Sequence, residues 1–206
     1  MQSRQSKHFK RTTRAGKAHL KAPNRLAQDF AATAPNRKWT VDITYVVTRE
    51  GWLYVAVVIN LFSRRIVGWA MSARLTVELA LDALTMALEQ RNPPAGLLHH
   101  SDRSSQYTAA AYQLLLKNRQ CQISMSGTGN CYDNAPTESF FGSLKTEWVY
   151  PTRYQTRAEA RTDIFFDIEA FYSTRRLHST LGCLSPAAFE AQYHARTQSG
   201  LILRPL

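Results

Sequence analysis

The sequence predicts an α/β domain built on a five-stranded mixed sheet flanked by helices. Three observations point there. From Trp39 onward, three consecutive stretches alternate or run apolar in the manner of strands. After them, helical and short apolar segments alternate, which brings further strands into the same sheet. Two amphipathic helical stretches then follow without a strand between them.

The first strand rests on Trp39, Val41, Ile43, Tyr45 and Val47 alternating with Thr40, Asp42, Thr44, Val46 and Thr48, a period of two. Thr48-Arg49-Glu50-Gly51 reads as a tight turn, and Trp52 to Asn60 as the second strand. Ser63-Arg64-Arg65 turns into a third strand, Ile66 to Met71, so these three should form an antiparallel meander. Thr76 to Gln90 is a helix, with Thr76 as the N-cap and Pro93-Pro94 as the stop. Leu97 to His100 is too short for a helix and reads as a buried strand. Ala109 to Lys117 is a helix and Gln122 to Met125 the fifth strand. Ser126 to Asn134 is a Gly-rich loop, followed by helices over about Ala135 to Trp148 and Arg157 to Arg176. This βββαβαβαα order is that of the ribonuclease-H-like architecture, although order alone leaves it one candidate among several.

Composition divides the chain into a basic arm and linker at 1–35, a core with a helical extension at 36–192, and a tail at 193–206. Net charge is +11, and ten of the 26 Lys and Arg fall within residues 1–40 against one acid, Asp29. Such an arm suits a polyanion, because neutralising phosphates releases their condensed counterions. The same charge would suit a solvated tail, so the arm alone decides nothing. No apolar run has membrane-spanning length, and no apolar segment follows the basic N-terminus as a secretory signal would require. Cys121, Cys131 and Cys183 are odd in number and lack CxxC spacing, as expected of reduced thiols in a cytoplasmic protein.

Three acids stand apart from those on helix surfaces. Asp42 interrupts an apolar and Thr-rich strand, where a carboxylate has poor propensity. Asp102 follows the short buried strand, and Glu138 lies in the first turn of the helix after the Gly-rich loop. Strand ends and nearby helix starts are where α/β domains gather ligand groups. Three carboxylates from separate elements would suit a pair of magnesium ions acting on a phosphodiester. Asp102 could equally be a turn residue, and Glu138 could favour its helix N-terminus electrostatically.

The surrounding residues carry a resemblance. Trp39-Thr40-Val41-Asp42-Ile43-Thr44-Tyr45, His100-Ser101-Asp102-Arg103-Ser104-Ser105-Gln106-Tyr107 and Asp133-Asn134-Ala135-Pro136-Thr137-Glu138-Ser139-Phe140-Phe141 resemble the DDE transposases of bacterial insertion sequences. The group in question is the insertion sequence three family, whose second reading frame carries a retroviral-integrase-like core. Asp102 and Glu138 are separated by thirty-five residues, the spacing for which that triad is named. Arg175-Arg176-Leu177-His178-Ser179-Thr180-Leu181-Gly182 continues the likeness, which covers about Arg11 to Glu190.

The resemblance implies that Asp42, Asp102 and Glu138 are catalytic and hold two Mg²⁺ ions, with Mn²⁺ as a substitute. It implies a nick at the element end by water, then attack of the freed 3′ hydroxyl on a second phosphodiester. Lys145 occupies the family's basic position seven residues after Glu138, and two helical turns return it to nearly the same face. Arg103, Arg175, Arg176 and His178 are further expected DNA contacts, and Asn134 is expected to cap the Glu138 helix. Double-stranded DNA, a homo-oligomeric partner and the product of the upstream frame are the implied partners, in a nucleoid-associated setting.

Three positions depart from the family pattern. Ser104 stands where Gly is usual, which would strain a turn needing positive φ. Ser126-Gly127-Thr128 lacks a common basic residue, and Ser173 replaces an Asn. The family's helix-turn-helix precedes the basic arm, and Met1 falls inside that arm, so the chain reads as a fragment or as a product with a misplaced start. The competing functions are a non-catalytic DNA-binding remnant and a nuclease acting on RNA–DNA hybrids. His99, His100, Trp39, Trp52, Trp69 and the Phe140-Phe141 pair are expected to be structural.

Overall fold

Alternation of apolar and hydroxyl-bearing residues extends the chain into β1 (Lys38–Thr48), β2 (Gly51–Asn60) and β3 (Ile66–Ser72), an antiparallel meander. The computed structural model describes residues 21–127 and 131–200. Most of the basic arm (1–20), the centre of the Gly-rich loop (128–130) and the end of the tail (201–206) lie outside the described residues.

α1 (Val77–Arg91) connects the meander to β4 (Leu98–Ser101). A single turn, α2 (Ser105–Thr108), and α3 (Ala110–Asn118) lead to β5 (Gln122–Met125). β4 and β5 add in parallel, giving the order β3-β2-β1-β4-β5. The fold is thus the five-stranded mixed sheet that the sequence predicts.

Helices cover both faces, because successive strand residues point to opposite sides. Trp39, Val41, Ala56 and Val58 pack with Leu84 of α1 and Leu116 of α3. Val46, Val57 and Ile59 pack with Phe140 and Leu144 of α4 (Ala135–Leu144) and Ile164 of α5 (Arg157–Phe166). Each such side chain contributes about 1.5–3 kcal/mol when fully buried. β3 and α1 approach so closely at Gly68 that a side chain there would strike Ala83 and Ala87.

Several expectations are corrected. The two late helices are not uniformly α-helical: α4 passes into a π-helical turn over Lys145–Val149, and α5 into another over Asp167–Tyr172. Thr76 and Asn134 occupy N-cap positions, but neither side chain bonds a helix N–H. α1 ends on left-handed Asn92, one residue before the prolines. α6 (Pro186–Gln198) runs through the first half of the expected tail, with the Ser185 hydroxyl accepting from the Ala188 N–H. Glu190 anchors it in the body, accepting from Asn60, Ser63 and Arg91 at 2.7–2.8 Å.

Order also starts before Trp39. Leu26 is 2% exposed, and the Arg25 and Leu26 N–H groups donate to Ser124 Oγ. Trp52, expected in the core, is 46% exposed against Tyr45, on the face of the β1–β2 hairpin opposite to the buried Val46 and Leu53. Trp39 and Phe140 are core residues as expected. Among the described residues no helix is long and apolar enough to cross a membrane.

Candidate active site

The pairing of β1 with β4 positions the first two acids. Thr40 lies opposite His100 in parallel register, so the same register two residues on sets Asp42 against Asp102. There the two strands part, as at the switch point of open α/β sheets. Both carboxylates line a cavity of about 220 Å³, with Ser104, Gln106, Tyr107 and Tyr54 among its walls.

Each aspartate spends one oxygen locally. Asp42 Oδ1 accepts the Ile43 N–H at 2.7 Å, and Asp102 Oδ1 accepts the Ser104 N–H at 2.9 Å. The second oxygens are left for a ligand. Ser104 itself has φ −66°, ordinary backbone, so the turn does not need the family's glycine and Ser strains nothing.

Glu138 comes from the first turn of α4 and is exposed. Asn134 holds that helix start to β1 rather than capping it. Its amide donates to the Val41 carbonyl at 3.2 Å, and its Oδ1 accepts from the Thr137 hydroxyl. Thr137 in turn meets Thr40 of β1 at 2.8 Å. The side chain is drawn inward because the strand carbonyl is the stronger claim on a buried amide.

Asp42 feels the other two acids. Burial, then the charges of Asp102 and Glu138, push the Asp42 carboxyl up to about 7, with the Ile43 N–H and Lys145 pulling the other way. Oxygen donors that repel one another and keep free lone pairs are what a hard divalent cation takes, so the residues present fit magnesium. They do not form a closed cage: among the described residues no three His, Cys, Asp or Glu side chains are close enough to hold one ion together. Glu138 is the member that does not line the Asp42–Asp102 cavity.

The other expected residues divide between two places. Lys145 opens the first π turn with its ammonium 5.0 Å from the Tyr45 ring centroid, near enough to influence Asp42. Arg103 is half-buried in the loop after Asp102. Arg175, Arg176 and His178 are not part of this cavity. Arg175 is exposed, Arg176 is clamped by both oxygens of Glu147 at 2.6 and 2.7 Å, and His178 stands edge-on to Tyr172. His99 and His100 are buried and bonded to Tyr112, Ser124 and Ser126; burial pushes His99 down to about 3. They are structural, as expected.

Sequence reasoning passed over Tyr107. Its hydroxyl is buried beside Asp42 and Asp102 with no hydrogen-bond partner among the described residues. Its position five residues after Asp102 was the available signal.

Comparison with known proteins agrees with this fold. Two models described as integrase core domain match residues 32–131 and 119–186. The chain is 48% identical over 194 residues to an insertion element IS600 protein of 31 kDa from Shigella sonnei, covering 94% of this chain and 71% of that one. It is 51% identical over 169 residues to the transposase InsF for insertion sequence IS3fB of Escherichia coli (strain K12), covering 82% of this chain and 59% of InsF. The chain therefore spans little more than half the length of that transposase. The HTLV-2 integrase catalytic core domain, solved in complex with magnesium, superposes with a TM-score of 0.58 at 13% identity. That match covers 77% of this chain and 98% of the core domain, and shows the shared fold.

Proposed function

This chain belongs to the family of IS3-type transposases with an integrase core, and on that premise we propose that it cuts and joins DNA strands during transposition, with Asp42, Asp102 and Glu138 as its catalytic carboxylates. One observation carries the assignment: Asp42 and Asp102 share a cavity where the strands part, and Glu138 is near enough for its charge to act on Asp42. Two Mg²⁺ ions, with Mn²⁺ as a substitute, would supply charge neutralisation at the phosphodiester and activation of the attacking and leaving oxygens.

The chain's own residues do the rest. The Ile43 and Ser104 N–H groups orient the two aspartates, and Asn134 ties the start of α4, which carries Glu138, to β1. Lys145 and Arg103 contact backbone phosphates next to the reacting bond, and Arg175, Arg176 and His178 extend that contact. The core at 36–192 carries the chemistry, and the basic arm at 1–35 holds duplex through its phosphates. Water cuts the element end first, and the freed 3′ hydroxyl then attacks the target strand. Two DNA ends must be held at once, so the working form is a homo-oligomer, joined by the product of the upstream frame.

The test is a nicking and strand-transfer assay on duplex bearing the end of its own element, with Mg²⁺ or Mn²⁺. Metal-dependent products that vanish in Glu138→Gln are the expected result. DNA binding without products in either protein would instead identify a non-catalytic remnant, and cleavage confined to RNA–DNA hybrid would identify a hybrid nuclease.

A further inference from the structure

A second polar grouping lies on the flank of α4 away from the carboxylates. A pocket of about 420 Å³ opens between Ser139 and Ser143 of α4, Arg64 of the β2–β3 turn, and Arg176, His178 and Ser179. Among the described residues no carboxylate lines it.

Arg64 Nη1 and His178 Nε2 are buried without a hydrogen-bond partner among the described residues. Buried donors left unpaired cost stability, and both residues line the same space. Arg64 also sits at φ +62°, a left-handed conformation that a side chain other than Gly enters with strain. Arg176 is largely neutralised by Glu147, so Arg64 supplies the pocket's uncompensated charge. Burial, then Arg176 and Arg64, hold His178 below the ordinary histidine range, which leaves a neutral ring able to donate one N–H.

We propose that this pocket binds one backbone phosphate of the DNA that the carboxylates act on. A guanidinium, an imidazole N–H and several hydroxyls converging on one space match the acceptor oxygens of a phosphodiester. α4 carries Glu138 on one flank and Ser139 and Ser143 on the other. The two sites are thus about one helix diameter, ~10 Å, apart, a few nucleotide steps of about 3.4 Å. The pocket would fix strand register relative to the reacting bond. The proposal rests on the DNA-cutting function for the source of its phosphate.

Binding to labelled duplex bearing the end of its own element should be measured against salt for the wild type, Arg64→Gly and His178→Gln. A methylphosphonate scan then removes one phosphate charge at a time. Glycine suits the left-handed position, so Arg64→Gly should melt no lower than the wild type. Its salt dependence should nonetheless fall by about 0.9 in log–log slope, so that a fourfold rise in salt costs it about 3.5-fold less affinity than it costs the wild type. At one or two adjacent positions, methylphosphonate should weaken the wild type and leave both variants unaffected. The proposal is overturned if every position weakens all three proteins alike, or if inorganic phosphate protects the wild type from melting while no position of the duplex distinguishes the variants. Cutting by Glu138→Gln, read on the same duplex, separates the two questions. Cutting that depends on Glu138 without a distinguishing phosphate sinks only the pocket. Cutting unaffected by Glu138→Gln, with a distinguishing phosphate, sinks only the catalytic assignment.

Discussion

Asp42→Asn should make the metal-free protein more stable, and only at neutral or alkaline pH. The Asp42 carboxyl is raised from 3.8 to about 7, first by burial and then by Asp102 and Glu138. Three units at 1.36 kcal/mol each give about 4 kcal/mol; Asp42 is partly exposed, and solvent screening reduces this to about 2 kcal/mol. The native chain holds this proton more tightly than the unfolded chain, so ionisation destabilises the fold. The penalty is absent below pH 3.8, grows between there and pH 7, and is full above it. Asparagine keeps the Oδ1 that accepts the Ile43 N–H, so little else is lost. At about 2–4 °C per kcal/mol for a domain of this size, the melting temperature in EDTA should rise about 4–8 °C at pH 8 and hardly at pH 4. Added Mg²⁺ should reverse the ranking, stabilising the wild type by about 2.7 kcal/mol at a hundred times its dissociation constant while leaving the variant nearly unmoved. Equal melting of the two proteins in EDTA at pH 8, or equal stabilisation of both by Mg²⁺, would refute the reasoning.

Three other substitutions probe separate parts of the structure. Glu190→Gln should cost about 3 kcal/mol, because it strips the buried charge that the half-buried Arg91 faces at 2.7 Å. Burial pushes Glu190 up, but Arg91, Ser63 and Asn60 outweigh it and hold the carboxyl below its usual range. The loss should therefore be complete above pH 4.5 and shrink as acid titrates the wild type through its lower folded value, as melting curves across pH would show. Gly68→Ala should cost about 3 kcal/mol or more in denaturant unfolding, since the new methyl would lie 2.7 Å from the Ala87 Cβ and collide with the Ala83 carbonyl. Tyr107→Phe removes a hydroxyl with no partner among the described residues, so stability should hold or rise. If that hydroxyl serves the charged site, single-turnover cutting should fall about tenfold, one hydrogen bond to a charged group. An unchanged rate would leave Tyr107 as a wall residue only.

What could be read from the residues was local. Alternation in β1 and the apolar run in β2 gave the meander, and a carboxylate in the middle of β1 was conspicuous because its neighbours are not polar in that way. The turn from α4 into π geometry was illegible, since Lys145 to Val149 keep the periodicity and composition of a helix and differ only in hydrogen-bond partners. Trp52 shows the limit for burial. Its chemistry suits a core, but exposure depends on which face of the hairpin the helices cover, and they cover Leu53 rather than Trp52.

The harder errors share a cause. Asn134 has the composition of a cap, and local preference would make it one; the Val41 carbonyl, ninety-three residues earlier in the chain, wins its amide instead. The same distance hides the geometry of the acids. Asp42 opposes Asp102 because Thr40 pairs with His100, a register that no local pattern encodes, so the residues alone offered three suspicious acids and only the likeness to a family joined them. Arg64, Ser139 and His178 lie in three separate segments, and only the fold brings them to the lining of one pocket. That site is therefore the one at which structure adds most to sequence.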